Sequence, residues 1–223
     1  MGQATVISFA AAGADRIAVV DRVNASATRT RALQAAADAG RPAPEILVLE
    51  FNVCDGTSVE AGVNEVGSRW GHVDIFINNW GDLSPFEPQP QPLRASNMDT
   101  WWRTWEVNVK DVYLVVRALL PLLLQGTEKT IVNVTSVGPL ELTPGASADR
   151  LSKLAVMRLS ECLMLDYVHE GLLAYSVHPA LDLAKKNARG RVCVGQPELA
   201  GDTVIYLTSK RREWLAGRHI NCA

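Results

Sequence analysis

Residues 131–153 read IVNVTSVGPLELTPGASADRLSK. An apolar, β-branched run, Ile131 to Val134, carries the chain to two hydroxyls, Thr135 and Ser136. A connection rich in Gly and Pro follows, and a helix is predicted to open near Ala148. Lys153 then falls about one turn into that helix, with Asp149 four residues before it. A strand end carrying a hydroxyl, opposite an ammonium one turn into the next helix, is an arrangement suited to a site at the carboxyl edge of a parallel sheet.

The flanking chain repeats the same alternation. ATVISFAAAG (residues 4–13) predicts a small-residue helix closed by Gly13. RIAVVDR (16–22) predicts a strand ending in an acid, and EILVLEFNV (45–53) and VDIFINNWG (73–81) predict two more. Helices are predicted at 25–39 and 57–70, the latter stopped by Gly71. Residues 82–97 are rich in proline and read as a surface loop. Asp99 is predicted to cap a long helix from 99 to 124, which Pro121 should bend or end. Trp101, Trp102 and Trp105 recur at helical spacing and read as packing groups. A strand at 130–135, a helix at 149–169, a strand at 173–178, a loop at 179–196, a helix at 197–208 and a final strand in RHINCA complete the pattern. Continuous apolar strands alternating with helices imply an α/β fold with a Rossmann-like, doubly wound parallel sheet, in a single domain over residues 1–223.

Composition narrows the function classes. The chain has 223 residues, net charge -2, and no apolar run near the ~20 residues of a membrane span. Neither a nucleic-acid surface nor a membrane patch is expected. Cys54, Cys162, Cys193 and Cys222 lie far apart with no CxxC pair, which reads as free thiols and no metal site. A basic leader is not evident after Met1, and a cytoplasmic protein is expected.

Five short segments give the chain a family resemblance. Asn78-Asn79-Trp80-Gly81, Glu106-Val107-Asn108-Val109, Val134-Thr135-Ser136, Ser152-Lys153 and His178-Pro179-Ala180 occur in the order, and on the predicted elements, that resemble the short-chain dehydrogenase/reductase family. RREWLAGRHI, with AYSVHP, is similar to members found in fungal secondary-metabolite pathways. The resemblance implies an oxidoreductase using NAD or NADP on a carbonyl or alcohol of a small molecule. It implies that Asn108, Ser136 and Lys153 are catalytic, with Asp149 standing where the family has its acid/base tyrosine. It further implies a cofactor site formed by Gly2, Asp21, Arg22, Asn52, Asp55, Asn78, Asn79, Gly81, Lys153 and Pro179. Asp21 would accept the adenosine ribose hydroxyls and disfavour a 2′-phosphate, whereas Arg22 would receive one. A homo-oligomer is implied through the helices at 99–123 and 149–169.

Departures from the family are expected to matter. The family's first strand and its Thr-Gly-x-x-x-Gly-x-Gly turn would precede residue 4, and only Met1, Gly2 and Gln3 stand there. The chain is therefore expected to be truncated at that end, and at the other after Ala223. Loss of a central strand would leave a gap in the sheet or force altered pairing, with unpaired backbone groups as the cost. The loop after Pro179 holds no threonine to bind a carboxamide. Asp149, beside Lys153, is expected to have a lowered pKa and to be a poor acid, or else to be a helix cap with no chemistry. Three readings follow: an oxidoreductase with impaired activity, a catalytically silent relative, and a non-redox isomerase or dehydratase with Asp149 as base.

Overall fold

The computed structural model describes residues 1–82, 92–136, 145–179 and 196–222. In chain order the elements are α1 (Gly2–Ala12), β1 (Arg16–Asp21), α2 (Ser26–Asp38), β2 (Glu45–Glu50), α3 (Gly56–Trp70), β3 (Ile75–Asn78), α4 (Met98–Trp105), a π-helical turn (Glu106–Lys110), α5 (Asp111–Leu124), β4 (Thr130–Val134), α6 (Ser147–Tyr167), β5 (Leu173–His178), α7 (Pro197–Thr208) and β6 (His219–Asn221). The α/β alternation predicted from hydrophobic periodicity is present throughout. The expectations for the proline-rich loop and for the segment after Pro179, including its missing threonine, fall mostly on residues 83–91 and 180–195, outside the described residues.

Two compact units are formed. The first comprises Met1–Gly71, Pro179–Arg212 and Asn221–Ala223, the second His72–His178 and Glu213–Ile220. In the first, β1 and β2 pair in parallel, from Arg16 opposite Glu45 to Asp21 opposite Glu50. The α1 helix packs on α2 and α7, with Ala10, Ala32 and Ala36 fully buried between them and the sheet. Small side chains let these helices approach closely. Gly13, at φ 94°, ends α1 and its N–H bonds back to Ala10 O, as its position predicts.

In the second unit the strand order is β3-β4-β5-β6. The first three are parallel, from Ile75 opposite Thr130 and Thr130 opposite Leu173. Every residue of β4 and β5 is buried, which explains why their apolar residues fall on both faces and do not alternate with exposed polar ones. Helix α6 covers them with a stripe at Ala148, Ser152, Val156, Ser160 and Leu163, spaced three or four apart. A polar chain pins this helix to the sheet: Asn78 Nδ2 donates to Asn133 Oδ1 at 3.1 Å, and Asn133 Nδ2 to Ser160 Oγ at 2.9 Å. The described strands thus pair as two sets, β1-β2 and β3-β4-β5-β6, and the altered pairing that would merge them does not occur among them.

Two local expectations are corrected. Asn97, not Asp99, caps α4, accepting from the Thr100 N–H at 2.9 Å. Pro121 does not end α5, which runs to Leu124. The interruption lies earlier, at the π-helical turn Glu106–Lys110, where one extra residue re-aims Asn108 inward.

Candidate active site

The second unit brings most of the expected catalytic residues together. Lys153, on the second turn of α6, donates from Nζ to Val134 O at 3.3 Å, which fixes the ammonium at the carboxyl end of β4. Ser136 follows two residues beyond that strand, and the Thr135 N–H holds the strand end by donating to Val177 O at 2.8 Å. Gly81 closes against the same point from the end of β3. A Cβ there would stand 3.0 Å from Lys153 Nζ and 3.3 Å from Asn108 Oδ1. Only glycine therefore fits between the asparagine and the lysine without displacing them.

Asn108 is buried, and its amide is spent on protein. Oδ1 accepts from the Asp82 N–H at 2.8 Å, while Nδ2 donates to Asp82 O at 3.2 Å and to Ser152 Oγ at 3.0 Å. Ser152, fully buried, donates onward to Asp149 O at 2.8 Å. The π-helical turn, the Gly81–Asp82 segment and the first turn of α6 are thereby joined through one amide. The sequence marked Ser152 only as part of the Ser152-Lys153 segment and gave it no role; its position three after Asp149 is the signal that could have found one.

Asp149 differs from expectation in two respects. It does not cap α6, whose preceding residue is Ala146; it stands in the first turn instead. Its Oδ1 is buried with no hydrogen-bond partner among the described residues. The expected fall in its pKa is reversed: burial pushes the Asp149 carboxyl up, and this outweighs the opposing pull of Lys153 and Arg150. Burial likewise pushes the Lys153 ammonium down, opposed by Asp149. Both groups are displaced toward their neutral forms.

His219, on β6, is a further site neighbour without a sequence signal, since only the tertiary fold brings it to Ser136. Burial holds its imidazole below the usual histidine range, and a hydrogen bond to the Ser136 main chain acts in the other direction.

Several of the remaining expected residues have local partners. Asn78 turns into the core toward Asn133, whereas Asn79 Oδ1 is buried without a partner among the described residues. In the first unit, Asp21 Oδ1 accepts from the Val23 N–H at 3.3 Å, and Asn52 Oδ1 from the Cys54 N–H at 3.1 Å. Asp55 caps α3 through the Thr57 N–H. Arg22 is exposed and Pro179 buried. Gly2 opens α1, whose first turn carries no acid and no side-chain cap. That end leaves backbone N–H groups compatible with an anion.

A model of the short chain dehydrogenase family matches residues 1–188. Short chain dehydrogenase citE of Monascus ruber is 40% identical over 99% of this chain and 76% of that protein. Short chain dehydrogenase andI of Emericella variicolor is 34% identical over 99% of this chain and 77% of its own length. Among solved structures, NAD+-bound xylitol dehydrogenase superposes with a TM-score of 0.79, covering 98% of this chain and 92% of that one at 19% identity. Among the described residues no helix is long and apolar enough to cross a membrane. The chain is a member of the short chain dehydrogenase family of oxidoreductases.

Proposed function

We propose that the chain is an NAD(P)-dependent oxidoreductase interconverting a carbonyl and an alcohol on a small molecule of the secondary-metabolite kind, with turnover limited at the proton-transfer step. The observation that carries this reading is the convergence of Gly81, Asn108 and Lys153 at the end of β4, on the first turns of the helix that carries the half-buried Asp149.

A nicotinamide cofactor fits the residues present. Gly81 leaves space against Lys153 that a Cβ would fill, and the Lys153 ammonium retains donors beyond the one given to Val134 O. The first turn of α1 offers backbone donors without a competing acid. Asn78, Asn79, Gly81 and Lys153 of the second unit are the residues proposed to hold it there; Gly2, Asp21, Arg22, Asn52, Asp55 and Pro179, which the family resemblance also assigns to the cofactor, belong to the first unit. NAD is favoured over NADP because Asp21 disfavours a 2′-phosphate. The cofactor, when bound, supplies or accepts the hydride. Ser136 polarises the substrate oxygen, Lys153 holds a positive charge beside it, and Asp149 holds the proton that the oxygen takes up or gives. General acid/base groups contribute about 10²–10⁴-fold, so a carboxyl shorter than a phenol by one ring costs a large part of that factor.

The protein is further proposed to be cytoplasmic and to pair with itself through α4–α5 and α6, where Trp102, Tyr113, Leu151, Leu154 and Leu165 are exposed.

Titration with NADH and with NADPH, read as energy transfer from the tryptophans, tests the redox reading. Saturable transfer is expected, stronger with NADH. A folded sample that binds neither would sink it in favour of a catalytically silent relative. Asp149→Tyr is expected to raise reductase turnover by about 10²-fold or more.

One observation favours a second reading, proton abstraction without redox chemistry: the buried Asp149 Oδ1 has no partner and its pKa is raised, as a base working near neutrality requires. Cofactor-independent isomerase or dehydratase activity, abolished in Asp149→Asn, would identify it.

A further inference from the structure

The α4–α6 seam is hydrogen-bonded at both ends. At one end the Trp101 indole Nε1 donates to Ser147 Oγ at 3.0 Å. At the other, Asn108 Nδ2 donates to Ser152 Oγ at 3.0 Å. These contacts set the two helices running side by side in the same direction, residue 101 opposite 147 and residue 108 opposite 152. Trp105 lies between them on the first helix, its ring stacked on Trp101 with centroids 5.7 Å apart, and three residues before Asn108. Asp149 lies between them on the second, three residues before Ser152.

Each of these intervening residues has a buried polar atom without a hydrogen-bond partner among the described residues. Trp105 offers Nε1, a donor only; Asp149 offers Oδ1. Buried polar atoms of native proteins are paired in the great majority of cases, and an orphan costs about 1–3 kcal/mol. A lone donor and a lone acceptor on two helices that share one seam are complementary. Neither atom bonds the other among the described residues.

We propose that Trp105 is a positioning residue for Asp149: its indole N–H and the Asp149 carboxylate are the two ends of one hydrogen-bonded bridge, closed by a single oxygen group that accepts from the indole and donates to the carboxylate. A water molecule or an alcohol hydroxyl has that chemistry. A carbonyl oxygen lacks the proton to donate and would close the bridge only when Asp149 is protonated. The site therefore distinguishes the alcohol from the carbonyl form of a ligand through the protonation state of one residue. This inference stands whether or not the chain binds a nicotinamide cofactor.

The charged groups that act on Asp149 are Lys153 and Arg150, both on α6 and both favouring the carboxylate. Trp101, Trp105 and Asn108, which the facing helix contributes to the seam, are uncharged. A donor reaching the carboxylate through the bridge also favours its charged form, so removing the indole N–H should raise the titration midpoint.

The test is an NMR titration of the wild-type protein and of Trp105→Phe. The indole ¹⁵N–¹H signal of Trp105, assigned by its loss in Trp105→Phe, should move with a midpoint that vanishes in Asp149→Asn. The Asp149 side-chain carboxyl signal, followed by ¹³C, should titrate about one pH unit higher in Trp105→Phe than in wild type. Adding isopropanol should shift the Trp105 indole signal if a hydroxyl competes for the bridge, and leave it in place if the bridging water is held too firmly to exchange; the Asp149-linked titration is required in either case. An indole signal that ignores Asp149, or an Asp149 midpoint that is the same in Trp105→Phe, would overturn the proposal. Trp105→His, which restores a ring N–H, should return the midpoint toward wild type; a merely space-filling role for Trp105 predicts no such recovery.

Discussion

Asn108→Ala is the perturbation that most directly probes how the site is held. The side chain makes three hydrogen bonds, at 2.8, 3.0 and 3.2 Å, to Asp82 N–H, Ser152 Oγ and Asp82 O. At about 1 kcal/mol net for each, their loss costs about 3 kcal/mol. A chain of this size loses about 2–4 °C of melting temperature per kcal/mol, so the second unit should melt roughly 6–12 °C lower. Ser152→Ala removes two bonds, the one from Asn108 and the one to Asp149 O, and should cost about 2 kcal/mol. The Asn108–Ser152 bond is common to both variants and is lost only once in the double mutant. The double-mutant cost should therefore fall short of the sum of the singles by about 1 kcal/mol. Urea unfolding followed by tryptophan fluorescence measures all four free energies. Strict additivity would show that Ser152 does not hold the amide, and an unshifted Asn108→Ala midpoint would show that Asn108 does not tie the π-helical turn to α6.

Two other perturbations have clear signs. Gly126→Ala should destabilise by about 3 kcal/mol or more, because the new Cβ would lie 2.3 Å from the main-chain Val73 O, and backbone cannot swing aside as a side-chain tip can; a normal melting curve for this variant would contradict the packing of the α5–β4 connection. Asp149→Asn should stabilise the protein at pH 7. The folded-state pKa of Asp149 is raised, so the folded chain binds more protons than the unfolded one between the two pKa values, and stability falls as pH rises through that window. The advantage of the asparagine should shrink on acidification toward the unfolded carboxyl value, and melting temperatures of both proteins compared across pH measure it; an advantage that grows on acidification would reverse the assigned cause.

What was legible in the sequence was whatever local chemistry dictates. Runs such as IVNV and AYSV are buried on both faces and read as parallel strands, and Gly13 and Gly71 mark helix ends because a left-handed residue is needed there. Pro121 does not end α5, because its missing N–H is tolerated inside the helix, whereas the π-helical turn has no residue signature: Glu106-Val107-Asn108-Val109-Lys110 would pass for ordinary helix. Asp149 is where the sequence misled. From sequence the nearby Lys153 was its dominant influence, but burial, which only the tertiary packing determines, outweighs that charge. The role of Ser152 was hidden for a related reason, since it comes from a partner forty-four residues away.

The coupling between Asp149 and Lys153 bears on how a restored tyrosine should be interpreted. Burial drives the lysine toward its neutral form, and the Asp149 carboxylate is the charge that opposes this. A neutral phenol at position 149 removes that support, so Lys153 in Asp149→Tyr should give up its proton more readily than in the wild type. A protonated lysine would in turn lower the pKa of the new phenol, so the proton donor gained and the charge that tunes it are not independent. Turnover restored by the tyrosine should consequently decline at a lower alkaline pH than a fully supported lysine would allow. The carboxylate at 149 is thus part of what keeps the buried ammonium charged, and replacing it alters two groups at once.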